Sequence, residues 1–143
     1  MASDFEGRLD SRLRSRREEA IRRLVECEAR GEPPPPDVFP SPRYELIGLN
    51  KVYEGRDQVA SWLAERKSVF PDQHTELIEL HHAEDAVVAE FWYSGTHLGS
   101  LGDIEPSGRA FRCRMAAIFL FDEDVLTCAR IYFDLGTIAR QLA

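Results

Sequence analysis

Apolar residues recur one helical turn apart from the beginning of the chain: Phe5, Leu9 and Leu13, then Ile21, Leu24, Val25 and Ala29, as far as Gly31. Ser3 stands three residues before Glu6, a capping-box spacing that predicts a helix start there. The stretch from Arg14 to Glu19 holds no apolar residue, so residues 4–30 read as one helix or as two. The Pro33 to Pro36 run cannot continue a helix and must be extended. Between Pro40 and Tyr53, turn residues mix with Tyr44, Leu46 and Leu49, which predicts a short strand and a loop. Val59, Trp62, Leu63, Arg66 and Phe70 then make the clearest helical stripe of the chain, with Asp57 as its expected cap and Pro71 as its stop.

After Pro71 the pattern changes from helical to alternating, and the remainder reads as four strands near residues 75–82, 86–97, 109–121 and 126–134. The short turn Asp122, Glu123, Asp124 joins the last two as an antiparallel hairpin, and residues 137–142 predict a terminal helical turn. Helices followed by a run of antiparallel strands is the α+β pattern, a sheet curling around a helix layer. Phe111, Cys113, Met115, Ala117, Phe119 and Phe121 share one face of the third long strand, and Ala129, Ile131 and Phe133 share one face of the fourth. Ala117 and Ala129 are small among large neighbours, so the enclosed space either admits a ligand or is filled by interdigitation. Ala116, Ile118 and Leu120, on the opposite face, are too apolar for free water; a second copy of the chain is expected to cover them.

Composition narrows the function. The 143 residues, 43% hydrophobic and 30% charged, make one folded domain, residues 1–143, with residues 1–17 as a candidate helical extension. Eighteen basic against 25 acidic residues give a net charge of −7, which repels phosphate polymers, so no nucleic-acid partner is expected. The arginines Arg12, Arg14, Arg16 and Arg17 read as a solvated helix face paired with Glu18 and Glu19. No stretch reaches the roughly 18 apolar residues of a membrane span, and the start of the chain lacks an apolar signal region, so the expectation is a cytoplasmic protein without a membrane partner. Cys27, Cys113 and Cys128 form an odd set without CxxC spacing and read as small buried thiols. There is no HExxH, and His81 and His82 point to opposite faces of a strand, so no metal site is expected.

Four motifs stand in order: Gly95-Thr96-His97-x-Gly99, then Pro106-Ser107-Gly108-Arg109 before the long strand, then Arg130-Ile131-Tyr132-Phe133-Asp134, and Gln141-Leu142 at the end. From about Glu18 onward the chain resembles the SnoaL-like polyketide cyclases of the nuclear transport factor 2-like superfamily. The resemblance implies a cone in which a curved antiparallel sheet and N-terminal helices enclose an apolar cavity, dimerisation through the sheet, and cofactor-free acid–base chemistry on an ester-bearing polyketide. It also implies three polar positions that this sequence lacks. Ile131 stands where the cyclases place an acid–base aspartate on the last strand, and Met115 and Ala117 stand where they place a glutamine and a histidine. Ile, Met and Ala move no protons.

Candidate residues therefore carry two readings each. Asp134 either caps the terminal helix or acts as an acid at the cavity mouth, and His97 either braces its turn or shuttles a proton. Glu90 faces solvent or is buried against Arg114 or Arg130. Tyr53 and Trp62 suit the wall of a pocket for an aromatic ligand, or the core, and Met115, Ala117, Ile131 and Phe133 complete the expected wall. Arg109 pins its loop or meets a carboxylate. Three functions stay open: a cofactor-free enzyme acting on a small hydrophobic, carbonyl-bearing metabolite, a non-catalytic ligand-binding or dimerisation module, and a structural dimer with a filled core.

Overall fold

The computed structural model describes residues 10–143. The Ser3 to Glu6 capping box and the turn carrying Phe5 and Leu9 lie outside the described residues. Helix α1 (Ser11–Ala29) begins at Asp10, whose Oδ1 accepts the Leu13 N–H at 2.8 Å, and runs unbroken through the stretch without apolar residues. Arg12, Arg14 and Arg16 are exposed, but Arg17, expected on the same solvated face, is only 2% exposed. Its guanidinium donates to the main-chain oxygens of Glu123 at 2.7 Å and Glu84 at 2.9 Å, and lies 5.2 Å from the Phe121 ring. Arg17 thus fastens α1 to two strand-connecting turns, and burial lowers its pKa from the usual arginine value. The helix ends in a Schellman arrangement: Glu32 N–H reaches the Cys27 oxygen and Gly31 N–H the Glu28 oxygen, both at 3.0 Å, with Gly31 at a φ of 73°.

The prolines run extended until Val38 and Phe39 both bond the Pro35 oxygen at 3.0 Å, and this turn delivers both side chains to the core. Instead of one strand and a loop, two short strands follow, β1 (Arg43–Leu46) and β2 (Lys51–Glu54), joined by a 3-10 turn (Ile47–Leu49). Helix α2 (Arg56–Val69) starts at Gly55 without a side-chain cap; Asp57 lies in its first turn, where its charge meets the positive end of the helix. The long strands are β3 (His74–His82), β4 (Ala86–Thr96), β5 (Ala110–Asp122) and β6 (Val125–Tyr132), and α3 (Leu135–Leu142) closes the chain.

The strand order is β2-β1-β6-β5-β4-β3 in one six-stranded sheet, curved and not closed. Its pairs are antiparallel except one: β1 runs parallel to β6, with Tyr44 opposite Ala129, so the sheet is mixed where a wholly antiparallel one was expected. The core face of β4 and β5, with Phe91, Phe111, Cys113 and Phe119, packs against Ile21 and Leu24 of α1 and Val59 and Leu63 of α2. A register shift at Leu120/Phe121 lets both Leu126 and Ala129 enter that core. All three cysteines are free and buried.

Candidate functional site

A pocket of about 670 Å³ is bordered by the core face of the sheet, by α2 and by α3, a size inside the roughly 300–1,000 Å³ of ligand sites. Small size at one wall position contributes to its room: Ala117 of β5 borders it, with Ile131 of β6 next in register. The residues assigned to the wall from strand parity and the helical stripe all border it: Tyr53, Trp62, Met115, Ala117, Ile131 and Phe133. Tyr53 and Trp62 stack with centroids 5.0 Å apart and planes 8° from parallel, and Trp62 meets Tyr44 edge-on at 4.9 Å.

A polar cluster that sequence reasoning missed interrupts this wall. Glu28, from the last turn of α1, accepts the Tyr44 hydroxyl at 2.7 Å through Oε2, and its Oε1 lies 4.0 Å from Arg66 Nη2. Arg66 is held between two rings, 5.2 Å from Trp62 and 5.0 Å from Tyr93. Gln73 ties the cluster together: its amide donates to the Glu28 main-chain oxygen at 2.9 Å, and its oxygen accepts the Tyr93 hydroxyl. Burial pushes the Glu28 carboxyl up, against the pull of Arg66 and the Tyr44 bond, and raises the Tyr93 phenol too. The signal was present: Glu28 continues the spacing of Ile21 and Leu24, and Arg66 that of Trp62 and Leu63, so each charge sits on an apolar stripe.

His97 borders the pocket and is 1% exposed. Its Nδ1 accepts the Ser107 main-chain N–H at 3.2 Å, which leaves the proton of the neutral ring on Nε2. That Nε2 is buried without a partner among the described residues. The ring therefore braces its loop with one nitrogen and holds an unspent donor on the other.

Asp134 is elsewhere. Its carboxylate is 69% exposed, accepts the Gly136 N–H at 3.0 Å and the Thr137 hydroxyl at 2.8 Å, and does not border the pocket. It caps α3, and those bonds hold its carboxyl below the usual range; the role of acid at a cavity mouth does not fit. Glu90, on the outer face, pairs with His81 at 2.8 Å and Arg114 at 3.6 Å. Glu79, His81 and Glu90 bring ligand-type atoms within 4.8 Å of one another, but His81 Nε2 is bonded to Glu90 and Arg114 lies on its other oxygen, the arrangement of an ion-pair network. Arg109 pins its loop through the main chain, its oxygen accepting the His97 N–H at 2.9 Å.

The profile of the SnoaL-like polyketide cyclase family matches residues 18–142. Among solved structures, a SnoaL-like protein from Jannaschia sp. CCS1 is similar with a TM-score of 0.76 at 19% identity, over 90% of this chain and 92% of that one. TsrD from Streptomyces laurentii gives 0.75 at 22% identity, over 91% and 96%. A protein with a ketosteroid isomerase-like fold from Catenulispora acidiphila DSM 44928, solved with trimethylamine, gives 0.67 at 18% identity, over 86% and 91%. No curated protein matches. At these identities the structural likeness carries the fold and no activity. Among the described residues no helix is long and apolar enough to cross a membrane.

Proposed function

This chain belongs to the SnoaL-like polyketide cyclase family, and from that premise we propose that it is a small-molecule pocket protein catalysing cofactor-independent proton transfer, of the cyclase or isomerase kind, on a hydrophobic, carbonyl-bearing compound of polyketide type. The observation that carries the reading is the 670 Å³ pocket whose apolar wall is interrupted by the Glu28/Arg66 pair and by His97. In such a reaction a base takes a proton from carbon beside a carbonyl, leaving an enolate. The enolate carbon adds to a second carbonyl, and the proton returns to the new alkoxide, so no electrons are gained or lost. With Met115, Ala117 and Ile131 apolar, the acid–base work passes to Glu28 on α1, and His97 donates from Nε2. The apolar surroundings exclude water and strengthen each of these contacts.

The test reads deuterium uptake at the α-carbon of a polycyclic 1,3-diketone in D₂O by proton NMR. Glu28→Gln is expected to slow exchange about 100-fold or more and His97→Gln about tenfold, while Asp134→Asn leaves the rate unchanged. Full activity in both pocket variants overturns the assignment. A second reading, a ligand-binding module without catalysis, is favoured by the apolar Met115, Ala117 and Ile131; it predicts saturable binding of the same diketone with no isotope exchange. The same proposal includes a homodimer in which the outer face of the sheet, with Ala116, Ile118 and Leu120 half-buried, meets a second copy.

A further inference from the structure

We infer that Arg66 is a docking site for a planar, two-oxygen anion, so that the compound bound in this pocket is a flat hydrophobic ring system carrying a carboxylate or the enolate of a 1,3-dicarbonyl. The inference rests on the small-molecule reading above and adds the chemical class of the ligand.

Arg66 is a cation with its hydrogen bonds unspent. A guanidinium carries five N–H donors in a rigid fork, and among the described residues Arg66 donates none of them within hydrogen-bond reach, although its side chain is only 18% exposed. Among the described residues its Nε is buried without a partner, and its ion-pair contact is to Glu28 at 4.0 Å. Glu28 does not form the two-pronged pair that an arginine and a carboxylate adopt when they face each other, because its Oε2 is held by the Tyr44 hydroxyl at 2.7 Å. The two neighbouring rings attract the charge but accept no strong hydrogen bond. Charge is partly balanced here while geometry is left open, and buried polar groups in folded proteins rarely stay unsatisfied. An arginine fork matches a planar anion with two oxygens, which a lysine in the same place would bind only as a point charge. Tyr53 and Trp62 border the same pocket, and Arg66 lies against the Trp62 ring, so aromatic side chains flank the fork where the ring system of such a ligand would lie.

Isothermal calorimetry with 2-naphthoate and its neutral methyl ester tests this on the intact protein. The acid is expected to bind about tenfold tighter than the ester or better. Arg66→Gln should erase that preference while the ester's affinity stays within about threefold. Glu28→Gln, which removes a competing negative charge, should tighten the acid and leave the ester alone. Equal or tighter binding of the ester by the intact protein overturns the anion site and leaves the small-molecule reading standing. Failure of both probes to bind at millimolar concentration overturns the two together.

Discussion

Removing Arg17 breaks two ties between α1 and the strand-connecting turns at once, because the carbonyls of Glu123 and Glu84 both accept from its guanidinium. Arg17→Met is therefore expected to cost about 2–4 kcal/mol, read from the urea midpoint. Arg17→Lys should recover only part, since an ammonium lacks the fork that spans both turns. No pattern in the sequence announces this residue, because its acceptors are main-chain atoms brought close only by the fold. By contrast Met115, Ala117, Ile131 and Phe133 were legible, as strand parity alone places them on one face. Glu28 and Arg66 lay between these cases: the stripes put them inside, but nothing local says that Tyr44 would turn one carboxylate oxygen away. On the outer face, Glu90 raises the pKa of His81, chiefly through their hydrogen bond. The charged imidazole is thus favoured in the folded state, so its contribution is complete below the unfolded pKa of about 6.5 and fades as pH rises through the folded value. Solvent screening keeps that contribution small, so NMR titration is the better readout than stability. The His81 midpoint should lie above that of a free histidine, and Glu90→Gln should bring it down; an unmoved midpoint counts against the pair.

At the scale of elements, the four long strands were readable to within two residues at either end. β4 and β5 alternate over most of their length, while the bulge between Leu77 and Glu79 in β3 and the adjacent buried Cys128 and Ala129 in β6 interrupt theirs. β1 and β2, four residues each, are too short to show a period; they pair locally with each other, but the other side of β1 is decided by β6, far along the chain. The loop after β4 shows how a weak motif acquires a physical cause. Leu98 and Gly99 both donate to the Val69 oxygen, at 3.0 and 3.1 Å, and so close the end of α2. A Cβ on Gly99 would stand 2.1 Å from the Ser68 oxygen, a contact that forces the loop outward. Gly99→Ala should cost about 1–3 kcal/mol and speed hydrogen exchange at residues 98–108, where Ser107 holds His97. Unchanged exchange there would mean that the loop is anchored by something else.

For the molecule as a whole, the outer face of the sheet divides its character along its length. At one end Trp92 lies beneath Arg112 at 3.8 Å, with Arg114 at 5.4 Å; further along β5, Ala116, Ile118 and Leu120 are half-buried. Pairing of two such faces predicts a dimer mass by analytical ultracentrifugation at micromolar concentration. Ile118→Glu should give a folded monomer, and an intact protein that sediments as a monomer throughout would end the proposal. The one parallel pair in the sheet has a different reach. Because β1 is seated on β6, the hairpin of β1 and β2 gains its neighbour only when the final strand has emerged from the ribosome. Until then the main-chain edge of β1 that Ala129, Arg130 and Ile131 will occupy is unpaired, and a nascent chain cut off before β6 would expose that open edge to whatever passes by.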